Sequence, residues 1–88
     1  MEKITASAIK FQMKDSDYFH IMTGFRHADI FYEIYQLHIN YNRNTHIQGF
    51  LTSEDRFVNR HEAAEIAFMS KQIEEEVYTL FSEDIWPE

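Results

Sequence analysis

The chain has 88 residues, is 44% hydrophobic and 16% aromatic, and carries a formal net charge of −7 from 15 acidic and 8 basic side chains. That length allows one domain, residues 1–88; the apolar content excludes a disordered chain, and the acidity excludes general duplex nucleic-acid binding. The absence of Cys excludes disulfides and thiolate chemistry and makes a reducing cytoplasm the expected compartment. No apolar run reaches membrane-spanning length, and the opening "MEKITASAIK" does not read as a secretory signal.

In chain order, "KITASAIKF" (3–11) alternates with period two and predicts a strand. "KDSD" (14–17) is turn chemistry, and "YFHIMT" (18–23) alternates again, so the two strands form a β-hairpin. "RHADIFYEIYQLHINY" (26–41) places Ile30, Phe31, Ile34, Leu37, His38 and Tyr41 on one helical stripe, which makes His38 a hydrogen-bonded core residue. The Asn-rich span 40–46 reads as a loop, "IQGFLT" (47–52) as a short strand and "SEDR" (53–56) as a turn. Gly49 inside that strand signals a bulge or a close backbone approach. Asn59 followed by Glu62 matches a capping box opening a helix over 60–72, with small Ala63, Ala64 and Ala67 suited to close packing. Residues 74–76 are a solvated acidic run, and 77–86 form a closing apolar tail. The order β-β-α-β-α plus a C-terminal tail makes the fold α+β.

Catalytic apparatus is not visible. "HEAAE" (61–65) puts Glu65 where a zinc-protease helix needs its second His, and two glycines exclude a glycine-rich phosphate loop. No metal ligand set, cofactor motif or catalytic residue is assigned. The unusual feature is the helix start. Free N–H groups there already attract anions, yet Arg56 and Arg60 bracket Asn59. Guanidinium forks beside backbone donors, with Phe50 offering a flat face for a base, suit a small nucleotide. Screening confines the repulsion from the acidic remainder to about 8 Å at physiological salt. The plain alternative is that Asn59 only caps, the arginines pair with Glu54 or Asp55, and Phe50 belongs to the core. The aromatic excess also points to a self-association surface or a ligand pocket.

The phrases "ASAIKF" (6–11), "GFRHADI" (24–30), "QGFLTSEDRFVNRHEAAEIA" (48–67) and "LFSEDIW" (80–86) together resemble the phage-encoded Thoeris anti-defence proteins of the first-described sponge family. The resemblance implies a homo-oligomer built on dimers, acting in the cytoplasm of an infected bacterium. It would capture a cyclised ADP-ribose signal intact rather than degrade it. By resemblance, Phe50 and Asn59 match the adenine-stacking and hydrogen-bonding positions, Arg26 or His27 would assist phosphate or ribose, and Arg60 is a further candidate. Arg56 rests on the helix-start argument alone. The chain departs from the pattern in its length and in the acidic "QIEEEVYT" (72–79). The rival reading is an acidic inhibitor of a bacterial defence complex that mimics DNA, in the manner of some anti-CRISPR proteins, in which case Glu74, Glu75, Glu76, Glu83 and Asp84 would matter.

Overall fold

The computed structural model describes residues 1–86. The architecture is α+β: β1 (Ile4–Met13), β2 (Phe19–Gly24), α1 (His27–Gln36), β3 (Tyr41–Thr52), β4 (Phe57–Asn59), α2 (Arg60–Met69) and a single closing turn, α3 (Ser82–Ile85). The strands form one antiparallel sheet in the order β2-β1-β3-β4.

Alternation along β1 decides which face is covered. Ile9 and Phe11 point to the helix side and pack with Ile30 and Ile34 of α1. Phe50 and Val58, on the same side, pack with Ile4, with Ala63, Ala64 and Ala67 of α2, and with Leu80. The small alanines bring α2 close to the sheet, as their spacing suggests. Both helices and the closing segment therefore share one face. The opposite face, centred on Lys10 between Ile21 and Ile47, carries no helix among the described residues.

Several expectations are corrected. The first helix ends at Gln36, not Tyr41. His38 has φ 55°, and the Ile39 N–H reaches back to the Ile34 carbonyl at 3.1 Å, a left-handed helix stop that seats Ile39 on the core. His38 is consequently exposed rather than a core residue. The span expected to be a loop, 40–46, largely joins β3, which runs from Tyr41. Its pairing with β1 jumps from Lys10↔Ile47 to Gln12↔Asn42, and the extra residues are stitched in by Thr45. The Thr45 hydroxyl accepts from the Gln12 N–H at 3.2 Å and donates to the Asn42 carbonyl at 2.7 Å. The 53–56 turn is present as expected, with Asp55 at φ 58°, and is followed by a further three-residue strand, β4.

α2 ends at Met69, three residues short of the predicted boundary at Gln72. Gln72 instead clamps the backbone of β1, donating to the Ile4 carbonyl at 2.9 Å and accepting from the Ile4 N–H at 2.8 Å. Gly49 is where close approach matters: a Cβ there would lie 2.2 Å from the Val58 carbonyl oxygen and 2.6 Å from the Phe57 ring.

Candidate functional site

The capping box at the start of α2 is present as its spacing predicts. The Asn59 side-chain oxygen accepts from the N–H groups of His61 (3.0 Å) and Glu62 (2.8 Å), and the Glu62 carboxylate accepts from the Asn59 N–H at 3.1 Å. Asn59 thereby fixes the direction in which Arg60, the first helical residue, leaves the sheet.

Arg60 runs along the helix-covered side. Its guanidinium donates to the Leu80 carbonyl (2.7 Å) and the Gln48 side-chain oxygen (2.6 Å), and its Nη2 lies 3.5 Å from His27 Nδ1. The Phe81 ring lies 4.8 Å from its central carbon, close enough for a cation–π contact. Among the described residues Arg60 makes no ion pair. Burial pushes its guanidinium below the ordinary range, against a weaker upward pull from Glu83 and Asp84. It is a cation with neutral acceptors and carboxylates only at a distance.

His27, the first residue of α1, is buried. Its Nε2–H donates to the Gly49 carbonyl at 2.7 Å, a tautomer that leaves Nδ1 to accept from Arg60. Burial pushes the imidazole below its ordinary value; the Gly49 hydrogen bond opposes this and the nearby Arg60 charge adds to it. Arg26 joins the cluster from the α1 cap. It donates to the Trp86 carbonyl and lies 3.6 Å from the Glu83 carboxylate. Two helix starts and the closing segment thus meet around two guanidiniums and a neutral imidazole.

The predicted residues divide. Arg26, His27 and Arg60 come together, with Phe50 beneath them. Phe50 does not offer an open face: it is 0% exposed, edge-on to His27 at 5.0 Å between ring centroids. The reason is topological, since β3 is a central strand and Phe50 faces the helix layer. Arg56 is elsewhere. It clasps Glu2 through two hydrogen bonds, 2.9 and 3.0 Å, rather than Glu54 or Asp55. Hydrogen bonds from Arg56 and Thr52 hold the Glu2 carboxyl below the usual carboxylate range.

Sequence reasoning missed Gln48 and the closing segment. Phe81, 49% exposed, supplies the accessible ring that Phe50 does not, with Trp86 and Phe25 packed together nearby at 5.6 Å. Leu80 was the available signal: its apolar side chain in "LFSEDIW" anchors that segment in the core.

The family of phage proteins described as phage T4 y16D protein matches residues 3–86. The chain belongs to that family. No curated protein and no solved structure matches it. For this y16D-family chain, the match runs from β1 through the closing segment and so spans every element that builds the arginine cluster. Among the described residues no helix is long and apolar enough to cross a membrane, and no group of three or more His, Asp or Glu converges as a metal site.

Proposed function

We propose that the chain is a non-catalytic binding protein that captures a small cyclic nucleotide of the cyclised ADP-ribose class in the cytoplasm of an infected bacterium, working as a homo-oligomer. Holding that signal intact would silence the defence it triggers. One observation carries the reading: Arg60 is a partly buried guanidinium held by neutral acceptors, with no ion pair among the described residues, an imidazole on one side and an accessible ring on the other. A pyrophosphate satisfies such a cation better than carbonyls do, because charge-assisted bonds are stronger than neutral ones. Phe81 takes the stacking role, Asn59 and Gln48 offer amide groups, and Arg26 exchanges Glu83 for phosphate. Phe50 acts as the floor under His27.

Native mass spectrometry of the full chain with a panel of cyclic nucleotides tests this. A captured mass equal to the unaltered ligand, recovered intact after heat denaturation, is expected. A cleaved product, or no captured ligand across the panel, overturns the reading.

A second reading has its own observation. Residues 49–88 hold ten acidic and three basic side chains, and Glu74, Glu75 and Glu76 are exposed. That strongly anionic half suits a basic protein groove. Replacing those three glutamates by lysines should then abolish inhibition of the defence system. Unchanged inhibition in that variant removes the reading.

A further inference from the structure

The chain reverses direction just after α2. Lys71 adopts φ 65°, and the segment that follows runs back along the helix until the Leu80 N–H reaches the Arg60 carbonyl at 3.1 Å. His61 ties the two walls together, with Nδ1 2.9 Å from the Tyr78 carbonyl oxygen and its ring 4.3 Å from the Tyr78 ring between centroids. Between the helix and the returning chain lies a groove made of two adjoining cavities, about 500 and 510 Å³, that share Phe68 and Met69. Val77 and Tyr78 line the first and Ile73 the second. Met69 is 61% and Tyr78 82% exposed, so the groove is apolar and uncovered. It lies on the outer side of α2, whose Ala63, Ala64 and Ala67 face the sheet. None of its lining residues belongs to the Arg60 cluster.

Charge indicates what fills this groove. Glu65 and Glu76 line the first cavity and Glu74 the second, against Lys71 as the one full cation of the lining. All three glutamates are exposed, and among the described residues none of them makes an ion pair. An apolar floor beneath a carboxylate rim repels nucleic acid and anionic lipid and selects a cationic partner. A second copy of the chain does not meet that need. Its basic side chains are scattered, nowhere three within ten residues, and an α2-to-α2 contact would set glutamate against glutamate. An amphipathic helix presents apolar side chains in one row at spacings of three and four, which suits a groove between two walls. Met69 suits such a guest as well, because its flexible thioether chain moulds to different apolar shapes.

We propose that the groove between α2 and residues 73–78 docks a basic amphipathic helix of a partner protein. The apolar stripe of that helix lies on Phe68, Met69 and Tyr78, and its lysines or arginines meet Glu65, Glu74 and Glu76. The proposal is independent of nucleotide capture. It shares only acidic residues with the second reading above: there the chain enters a basic groove, whereas here it supplies the groove.

The test adds a synthetic peptide to the full chain without nucleotide. The peptide has about 14 residues, enough to span α2 as a helix, with Leu at helical spacing and Lys elsewhere. One control rearranges the same residues so that the leucines no longer share a face; another keeps the leucine pattern and replaces every Lys by Glu. Isothermal titration should show the patterned Lys peptide binding about tenfold tighter than the rearranged one, and no binding of the Glu peptide. Met69→Ser leaves every charge in place and should weaken binding about tenfold. Glu65→Lys combined with Glu76→Lys should weaken it as much and flatten its salt dependence, while Glu33→Lys, on α1, should leave it unchanged. Amide chemical shifts should move within residues 61–78 and stay fixed along β2. Failure of the patterned Lys peptide to bind overturns the proposal, and so do shifts centred outside residues 61–78. Equal binding of the patterned and rearranged Lys peptides, or an unaffected Met69→Ser variant, reduces the contact to bulk charge; either result removes the groove while leaving the acidic-mimic reading standing. If Met69→Ser fails to fold by circular dichroism, the peptide comparison and the shift map decide.

Discussion

Arg56 and Arg60 flank the same cap four residues apart, yet they live in different electrostatic worlds. Arg56 is exposed and is neutralised by the half-buried Glu2 carboxylate, which it clasps through two hydrogen bonds. Arg60 lies on the helix-covered side and is surrounded by a carbonyl, an amide, an imidazole and a ring. The difference teaches that a cation is available to a ligand when its neighbours solvate it without cancelling its charge. A surface guanidinium with a carboxylate fork already has its anion.

The largest expected effect separates floor from ring. Phe50→Ala opens a cavity under His27 and Val58 and should cost roughly 3–5 kcal/mol of stability, read as a lower urea midpoint by far-UV circular dichroism. A small change would mean Phe50 is not the core ring that sets Arg60 apart. Next, Arg60→Gln should weaken capture of a phosphorylated ligand at least tenfold, about 1.4 kcal/mol, while Arg56→Gln leaves it unchanged; isothermal titration compares the two. Equal losses would erase the contrast between the two arginines.

Asn59→Ala strikes the cap common to both and should lower stability by about 1 kcal/mol, measured by the same denaturation. The pH dependence sharpens the buried side. His27 has its imidazole pushed below its unfolded value of 6.5, chiefly by burial. The unfolded chain therefore takes up the proton first, and stability that is complete above that value declines as pH falls below it. Denaturation midpoints from pH 8 to pH 5 should show this decline, and His27→Gln should flatten it. Arg56→Ala is the smallest change: a slight loss, larger at low salt than at high salt, since the guanidinium is exposed and its pairing with Glu2 is open to screening.

Much of the scaffold was legible in local patterns. Alternation marked β1, β2 and the second half of β3, and Asn59 with Glu62 marked the start of α2 to the residue. Boundaries failed where a single backbone turn outweighed periodicity. His38 and Lys71 adopt positive φ and stop their helices early, although the apolar or polar spacing continues past them. The first half of β3 escaped notice because Thr45 and Asn42 satisfy its irregular backbone with side-chain hydrogen bonds, and Asn-rich composition resembles a loop.

The site was legible only in part. Arg60 was named from the local chemistry of the helix start and Arg26 and His27 from the family resemblance, and the fold brings His27 within reach of Arg60 and Arg26 to the same closing segment. Which aromatic ring stays accessible was not a local matter. Phe50 and Phe81 look alike in sequence, but one lies on a central strand beneath two helices and the other on a closing segment at the surface. The partner of Arg56 was likewise 54 residues away in the chain. Local sequence determined the strands, the cap and the cations, because propensity and spacing act over a few residues. Tertiary structure alone decided which charges are cancelled and which rings are buried, because both depend on groups that meet only after the sheet and its helices have packed.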